Sequence, residues 1–248
     1  MSLQACADLV ARGDPRRFRA AMAAPLAARE VLLPLYAFNI EVSRAPWVTE
    51  EPMIAEMRLQ WWRDALEEIS ERRARRHEVV DALSFLDPEG VAALDQLIAA
   101  RRWDIYKEPF EDEAAFRQYI QRTSGHLIDT GLRALGGTPT PATDAIGYAA
   151  GLARYLVAVP ALEARGRVPL LDGRPQAVAA LAKAALDGWP RRVDTAMPAR
   201  AALYETAGAK AILARVVSDP VAVVEGRLAL PDGREKLSLM GAAFLGRI

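Results

Sequence analysis

Glu51-Pro52-Met53-Ile54-Ala55-Glu56-Met57-Arg58-Leu59-Gln60-Trp61-Trp62-Arg63-Asp64-Ala65-Leu66-Glu67-Glu68-Ile69 is the stretch that decides the fold class. Leu59, Trp62, Leu66 and Ile69 recur at the three- and four-residue spacing of one helical face. Pro52 suits a first helical turn, where its missing N–H has no partner to lose. Arg63 and Glu67 stand four apart, the spacing at which a helix pairs opposite charges. Trp61 and Trp62 are adjacent and cannot share a face, so one reads as core and the other as rim.

The same pattern extends in both directions. Ala, Leu, Arg and Glu dominate, and alternating runs of β-branched residues are nearly absent. One helix is expected from about Arg16 to Arg44, bent near Pro25 and Pro34. Asp87-Pro88 reads as an N-cap followed by a first-turn proline, opening a helix to about Lys107. Another helix is expected over 113–135, stopped by Gly136-Gly137. Thr140-Pro141 caps the next, to about Glu163. A loop over 165–174 leads to helices near 176–186, 200–217 and 234–246. With no repeat or flexible linker dividing the chain, the expectation is all-α and a single domain over 1–248.

The 248 residues suffice for a large core without staples. Basic and acidic residues balance at 32 each, which argues against a dedicated nucleic-acid binder. Cys6 is the sole cysteine, so no internal disulfide can form, and it reads as a buried bystander thiol. Residues 1–18 lack the pattern of a secretory signal, and the expected location is cytoplasmic. The most apolar long window, Ala145 to Leu162, is interrupted by Arg154 and expected to end at Pro160. It reads as a buried helix. The basic run Glu71 to His77 reads as solvated surface, with an acidic partner or lipid headgroup as the other reading.

No Gly-rich phosphate loop, zinc-spaced Cys/His cluster or nucleophile elbow occurs. His126 reads as a hydrogen-bonded structural residue. Ser124, His126 and Asp129 cannot form a triad, because residues two apart on a helix point to different sides.

Several segments, in order, resemble the squalene/phytoene synthase family: Leu32-Leu33-Pro34-Leu35-Tyr36-Ala37-Phe38, Arg58 to Leu66, His77-Glu78-Val79-Val80-Asp81-Ala82-Leu83, Tyr119 to Gly136, and Arg165-Gly166-Arg167-Val168-Pro169-Leu170. The resemblance implies an isoprenoid (terpenoid) synthase-like helical bundle around a central cavity. In that family two aspartate-rich motifs hold magnesium, and the enzymes transfer farnesyl or geranylgeranyl groups between prenyl diphosphates. Carboxylates one turn apart share a face and offer the oxygen ligands that hard cations require. Here the aspartate positions fall on Ser43 and Trp47 in the first motif and on Ala158 and Leu162 in the second, and a phosphate-binding arginine falls on Ile40. The resemblance therefore implies no catalytic residue, no metal site and no cofactor. Tyr36, Arg154, Arg227 and Lys236 are the positions it leaves as a candidate ligand-binding set; their bland reading is surface or ion-paired residues.

Residues 41–66 most resemble the branch of the family with degenerate aspartates, that of the mitochondrial complex I assembly factor. Three functions stay open on that ground: a non-catalytic assembly factor or scaffold with a respiratory-complex subunit as partner and peripheral contact at the inner membrane; an isoprenoid transferase with altered chemistry; and a metal-independent prenyl or lipid carrier.

Overall fold

The computed structural model describes residues 2–73 and 76–246. Every regular element among them is helical. In chain order they are α1 (Ser2–Gly13), α2 (Pro15–Ala23), α3 (Leu26–Arg44), α4 (Pro52–Ser70), α5 (Glu78–Ala82), α6 (Pro88–Ala100), α7 (Glu113–Ile120), α8 (His126–Ala134), α9 (Pro141–Glu163), α10 (Pro175–Asp187), α11 (Ala209–Ser218) and α12 (Asp232–Leu245). The chain divides into two compact units. One comprises Met1–Tyr106, His126–Pro139 and Thr195–Glu205; the other comprises Lys107–Gly125, Thr140–Asp194 and Thr206–Ile248.

The first unit holds α1 to α6 and α8. Leu59, Trp62, Leu66 and Ile69 of α4 are all buried, as their spacing requires. Trp62 meets Phe38 of α3 edge-to-face, with ring centroids 5.3 Å apart. Arg63 turns away from Glu67: its guanidinium grips Asp95 of α6 in two hydrogen bonds of 2.6 and 3.0 Å. A bidentate fork across helices is a better use of a planar guanidinium than a same-helix contact. The Asp87 N-cap is present, its Oδ1 accepting from the Gly90 N–H at 2.7 Å. His126 Nδ1 lies 3.1 Å from the carbonyl oxygen of Ala93, a structural tie between α8 and α6.

The helix expected over 16–44 is two helices. Ala24 is extended (ψ 156°), because a residue before proline is driven from the helical region, and α3 starts after Pro25. Pro34 is tolerated inside α3. The carbonyl of Glu30, which loses its helical donor there, belongs to an exposed residue. The helix expected through Lys107 becomes a 3-10 turn at Arg101–Asp104. Within the basic run, Ala74 and Arg75 lie outside the described residues.

The second unit is organised on α9, which packs against α7, α10, α11 and a π-helical turn over Gln121–Gly125. Thr140 and Thr143 form a reciprocal cap at its start. Pro160 does not end α9: the Ala164 N–H donates to the Pro160 carbonyl at 3.0 Å and the helix runs to Glu163. This is the one described helix long and apolar enough to cross a membrane, and 61% of its apolar window is buried within the structure. Phe110, Phe116, Tyr119 and Tyr155 meet edge-to-face with centroids 5.1–6.4 Å apart, and the Tyr155 hydroxyl donates to the Pro169 carbonyl at 2.8 Å. That bond anchors the 165–170 loop to α9.

The helix expected over 113–135 is interrupted by the π turn, where α9 approaches closely. A Cβ on Gly147 would sit 2.9 Å from the Gly125 Cα, and one on Gly151 only 2.6 Å from the Ser124 Cβ. The segment expected as helix over 200–217 is a 3-10 run over Ala199–Thr206 followed by α11. Gly208 separates them at φ +85°, a conformation that glycine adopts without strain.

Candidate functional site

Tyr36 lies on α3 in the first unit and is only 2% exposed. The Arg17 guanidinium of α2 lies 5.6 Å from its ring centroid. Arg17 is itself ion-paired with Glu205, whose side chain is fully buried, and with Asp14 at 3.1 Å. Burial alone would lower the Arg17 pKa, but the charges of Glu205 and Asp14 outweigh it and raise it. The cation beside the Tyr36 ring is thus neutralised from within the protein. Beside it on α3, Asn39 is buried and its Oδ1 accepts no hydrogen bond among the described residues.

Ser43 and Trp47 stand at the positions where the resemblance implies aspartates. The Ser43 hydroxyl donates to the Ile40 carbonyl at 3.1 Å, and an indole has no oxygen to offer a cation. Ala158 and Leu162, on α9 in the second unit, carry no donor atom at all. Glu163 is exposed one position beyond Leu162. Among the described residues no three His, Cys, Asp or Glu side chains cluster as a metal would require. These positions do not fit magnesium, which takes hard oxygen ligands.

Arg154 is half-buried on α9, and its Nη2 lies 3.4 Å from the Ser124 hydroxyl of the π turn. Arg227 is exposed and paired with Glu225 and with Asp219 at 3.1 Å. Lys236 is exposed and paired with Asp232 at 2.6 Å. Arg227 and Lys236 therefore each have an acidic neighbour of their own.

The sequence reading did not anticipate an apolar pocket of about 500 Å³ in the second unit, walled by α7, α9, α10 and the 170–172 loop. Phe116, Leu170 and Leu181 line it, and alanines of α10 leave its volume open. At its edge the Arg117 guanidinium lies 4.1 Å over the Tyr148 ring, and burial raises the Tyr148 pKa against the opposing charge of Arg117. Asp172 at the rim is held by Arg174 and its carboxyl is lowered to about 2. The α10 alanine spacing was visible in the sequence, but a small-residue stripe marks close packing as readily as a void.

The all-helical fold is that of squalene and dehydrosqualene synthases of known structure. The squalene/phytoene synthase family model matches residues 10–218, and the chain belongs to that family. It is 28% identical over 177 residues to the Drosophila melanogaster NADH dehydrogenase (ubiquinone) complex I, assembly factor 6 homolog. That match covers 67% of this chain and 53% of the relative, so the chain spans about half the length of the curated relative. Among solved structures it resembles a ligand-bound dehydrosqualene synthase, with TM-score 0.70, 16% identity and coverage of 99% and 96% of the two chains. It also resembles squalene synthase HpnC from Alicyclobacillus acidocaldarius, with TM-score 0.60, 21% identity and coverage of 98% and 90%. At those identities the likeness is one of fold.

Proposed function

We propose that this chain is a non-catalytic member of its family that serves as an assembly factor for respiratory complex I, working peripherally at the cytoplasmic face of the energy-transducing membrane. The observation that carries the reading is that Ser43, Trp47, Ala158 and Leu162, where the resemblance implies aspartates, offer no set of oxygen ligands, within a fold like that of dehydrosqualene synthase. Ionisation of a prenyl diphosphate needs its leaving group neutralised, and a divalent cation supplies that as a Lewis acid. Each 1.36 kcal/mol of lost transition-state stabilisation is about tenfold in rate, so loss of a whole ligand cluster removes many powers of ten. The likeness to a complex I assembly factor homologue supports the role that remains.

The test has two arms. Deletion of the gene in its own cells should lower assembled complex I on native gels, with recovery on re-expression. Purified protein incubated with farnesyl diphosphate and magnesium should release no pyrophosphate above the blank. Intact complex I in the deletion strain would sink the assembly role, and magnesium-dependent turnover would sink the non-catalytic one. The apolar pocket beside Arg117 and Tyr148 favours a second reading, carriage of a small apolar ligand without metal. Copurification of a stoichiometric lipid, detected by mass spectrometry of the extracted protein, decides that one.

A further inference from the structure

Glu41, Arg44, Ala45 and Val48 recur at helical spacing along the end of α3 and its 3-10 continuation, on a different face from Tyr36, Ile40, Ser43 and Trp47. With Arg58, Trp61 and Trp62 of α4 and with His77 they enclose a pocket of about 460 Å³ in the first unit. Its aromatic wall is preset: Trp61, Trp62 and His77 meet edge-to-face with centroids 5.0–5.3 Å apart. Glu41 and His77 also line an adjoining pocket that takes in Arg12 and Arg76, together with Glu78 and Asp81. Arg12, Arg44, Arg58 and Arg76 have no ion-pair partner among the described residues. In this they differ from Arg17, Arg63 and Arg227, each of which holds a carboxylate.

An apolar row leads to this pocket along the first turns of α4. Met53 is 72% exposed, Met57 is 65% exposed and Ile54 lies between them; Val48 flanks the pocket at 50%. Arg58 and Trp61 continue the row at i+4 and i+7 from Ile54. Apolar and methionine side chains left in solvent beside an aromatic and arginine pocket have the composition of a protein-binding surface.

We infer that this surface docks an amphipathic helical segment of a protein partner, its apolar face on Met53, Ile54 and Met57, an apolar anchor against Trp61, and acidic side chains on Arg44 and Arg58. The inference rests on the assembly-factor reading and names the chemistry of the partner. Charge complementarity argues for acid on the partner, because exposed guanidiniums without a carboxylate of their own gain a bidentate one when docking removes water from them. A concave pocket lined by rings fits a side chain, the arrangement of helix-in-groove recognition. An anionic bilayer fits less well. It would press negative charge on the exposed Glu50 and Glu51 at the start of α4 as well as on the arginines, whereas a helix can pattern its charges to avoid them.

The test uses the full chain and two fluorescein-labelled helical peptides, with leucines at helical spacing separated by glutamates in one and by lysines in the other. Anisotropy titration should give saturable binding of the glutamate peptide, at least about tenfold tighter than the lysine peptide. Arg44→Glu combined with Arg58→Glu should reverse that preference, and Met57→Asp should weaken both. All three positions are exposed apart from their pocket contacts, so melting temperatures should hold and report that the variants fold. Equal binding of the two peptides, no saturation by the glutamate peptide below about 1 mM, or indifference to charge reversal overturns the inference. So does binding to phosphatidylglycerol vesicles that the same substitutions abolish, which would make the surface a lipid contact. Concentration-dependent dimerisation lost in Met57→Asp would assign the surface to a second copy and likewise overturn it. Complex I content in the deletion strain is read independently, so failure of the assembly role is distinguishable from failure of this surface.

Discussion

The guanidinium of Arg17 is ion-paired with the carboxylate of Glu205, 188 positions away in sequence, and the carboxylate is fully buried. The pair closes the first unit by tying α2 to its last segment. Removing one member leaves the other a buried charge short of a principal partner, even with Asp14 still beside Arg17, which costs up to about 3–5 kcal/mol. Glu205→Gln and Arg17→Met should each lower the urea midpoint strongly, while the double variant recovers part of the loss. A double-mutant cycle with no coupling would refute this account.

Gly147 and Gly151 should be intolerant of larger side chains. A Cβ at Gly147 meets backbone at 2.9 Å, which cannot rotate away. Gly147→Val should destabilise by about 1–3 kcal/mol through overpacking. Gly173, with nothing within 4 Å of its added Cβ, is the control, and Gly173→Ala should leave the melting temperature nearly unchanged.

The Cys6 thiol is pushed up to about 11 by burial and by the nearby charge of Glu78. Native protein should react slowly with iodoacetamide at pH 8 and rapidly once unfolded. A thiol whose folded pKa lies above its unfolded value near 9 adds stability that is complete below about pH 9 and lost as pH rises through about 11. Cys6→Ala should flatten the alkaline limb of the stability profile.

Asp172 behaves in the opposite sense. Arg174 lowers its carboxyl to about 2, against 3.8 for the ordinary group. Any stabilisation is present above about pH 4 and lost as pH falls towards 2. Both partners are exposed, so the effect on global stability should be small. A carbon-13 titration of the carboxyl should find the low value in the wild type and a value near 4 in Arg174→Ala.

The helices were legible where one face was consistently apolar, as in α4, and where a capping residue precedes proline, as at Asp87-Pro88 and Thr140-Pro141. What failed was interruption. A bend was expected near Pro25, but the backbone effect on the residue before it makes a full break; the π turn lies where α9 approaches through Gly147 and Gly151. Neither leaves a mark in side-chain periodicity. Family membership followed from spaced segments. Arg63 shows the limit: its local partner Glu67 lost to Asp95, a choice that only packing decides. Arg17 with Glu205 lay beyond reach for the same reason.

The π turn at Gln121–Gly125 adds one residue to a helical stretch, and its last residues carry a phase offset of about 100° from the face of α7. Under that offset Gly125 and Ser124 come up against Gly147 and Gly151 of α9. A one-residue deletion between Gln121 and Gly125 would relax the coil to an ordinary α-helix and turn Ser124 and Gly125 away from their close approach to α9. Indels there should be far more damaging than substitutions, and any homologue that has lost a residue at this point must have rebuilt the neighbouring hydrophobic surface to match.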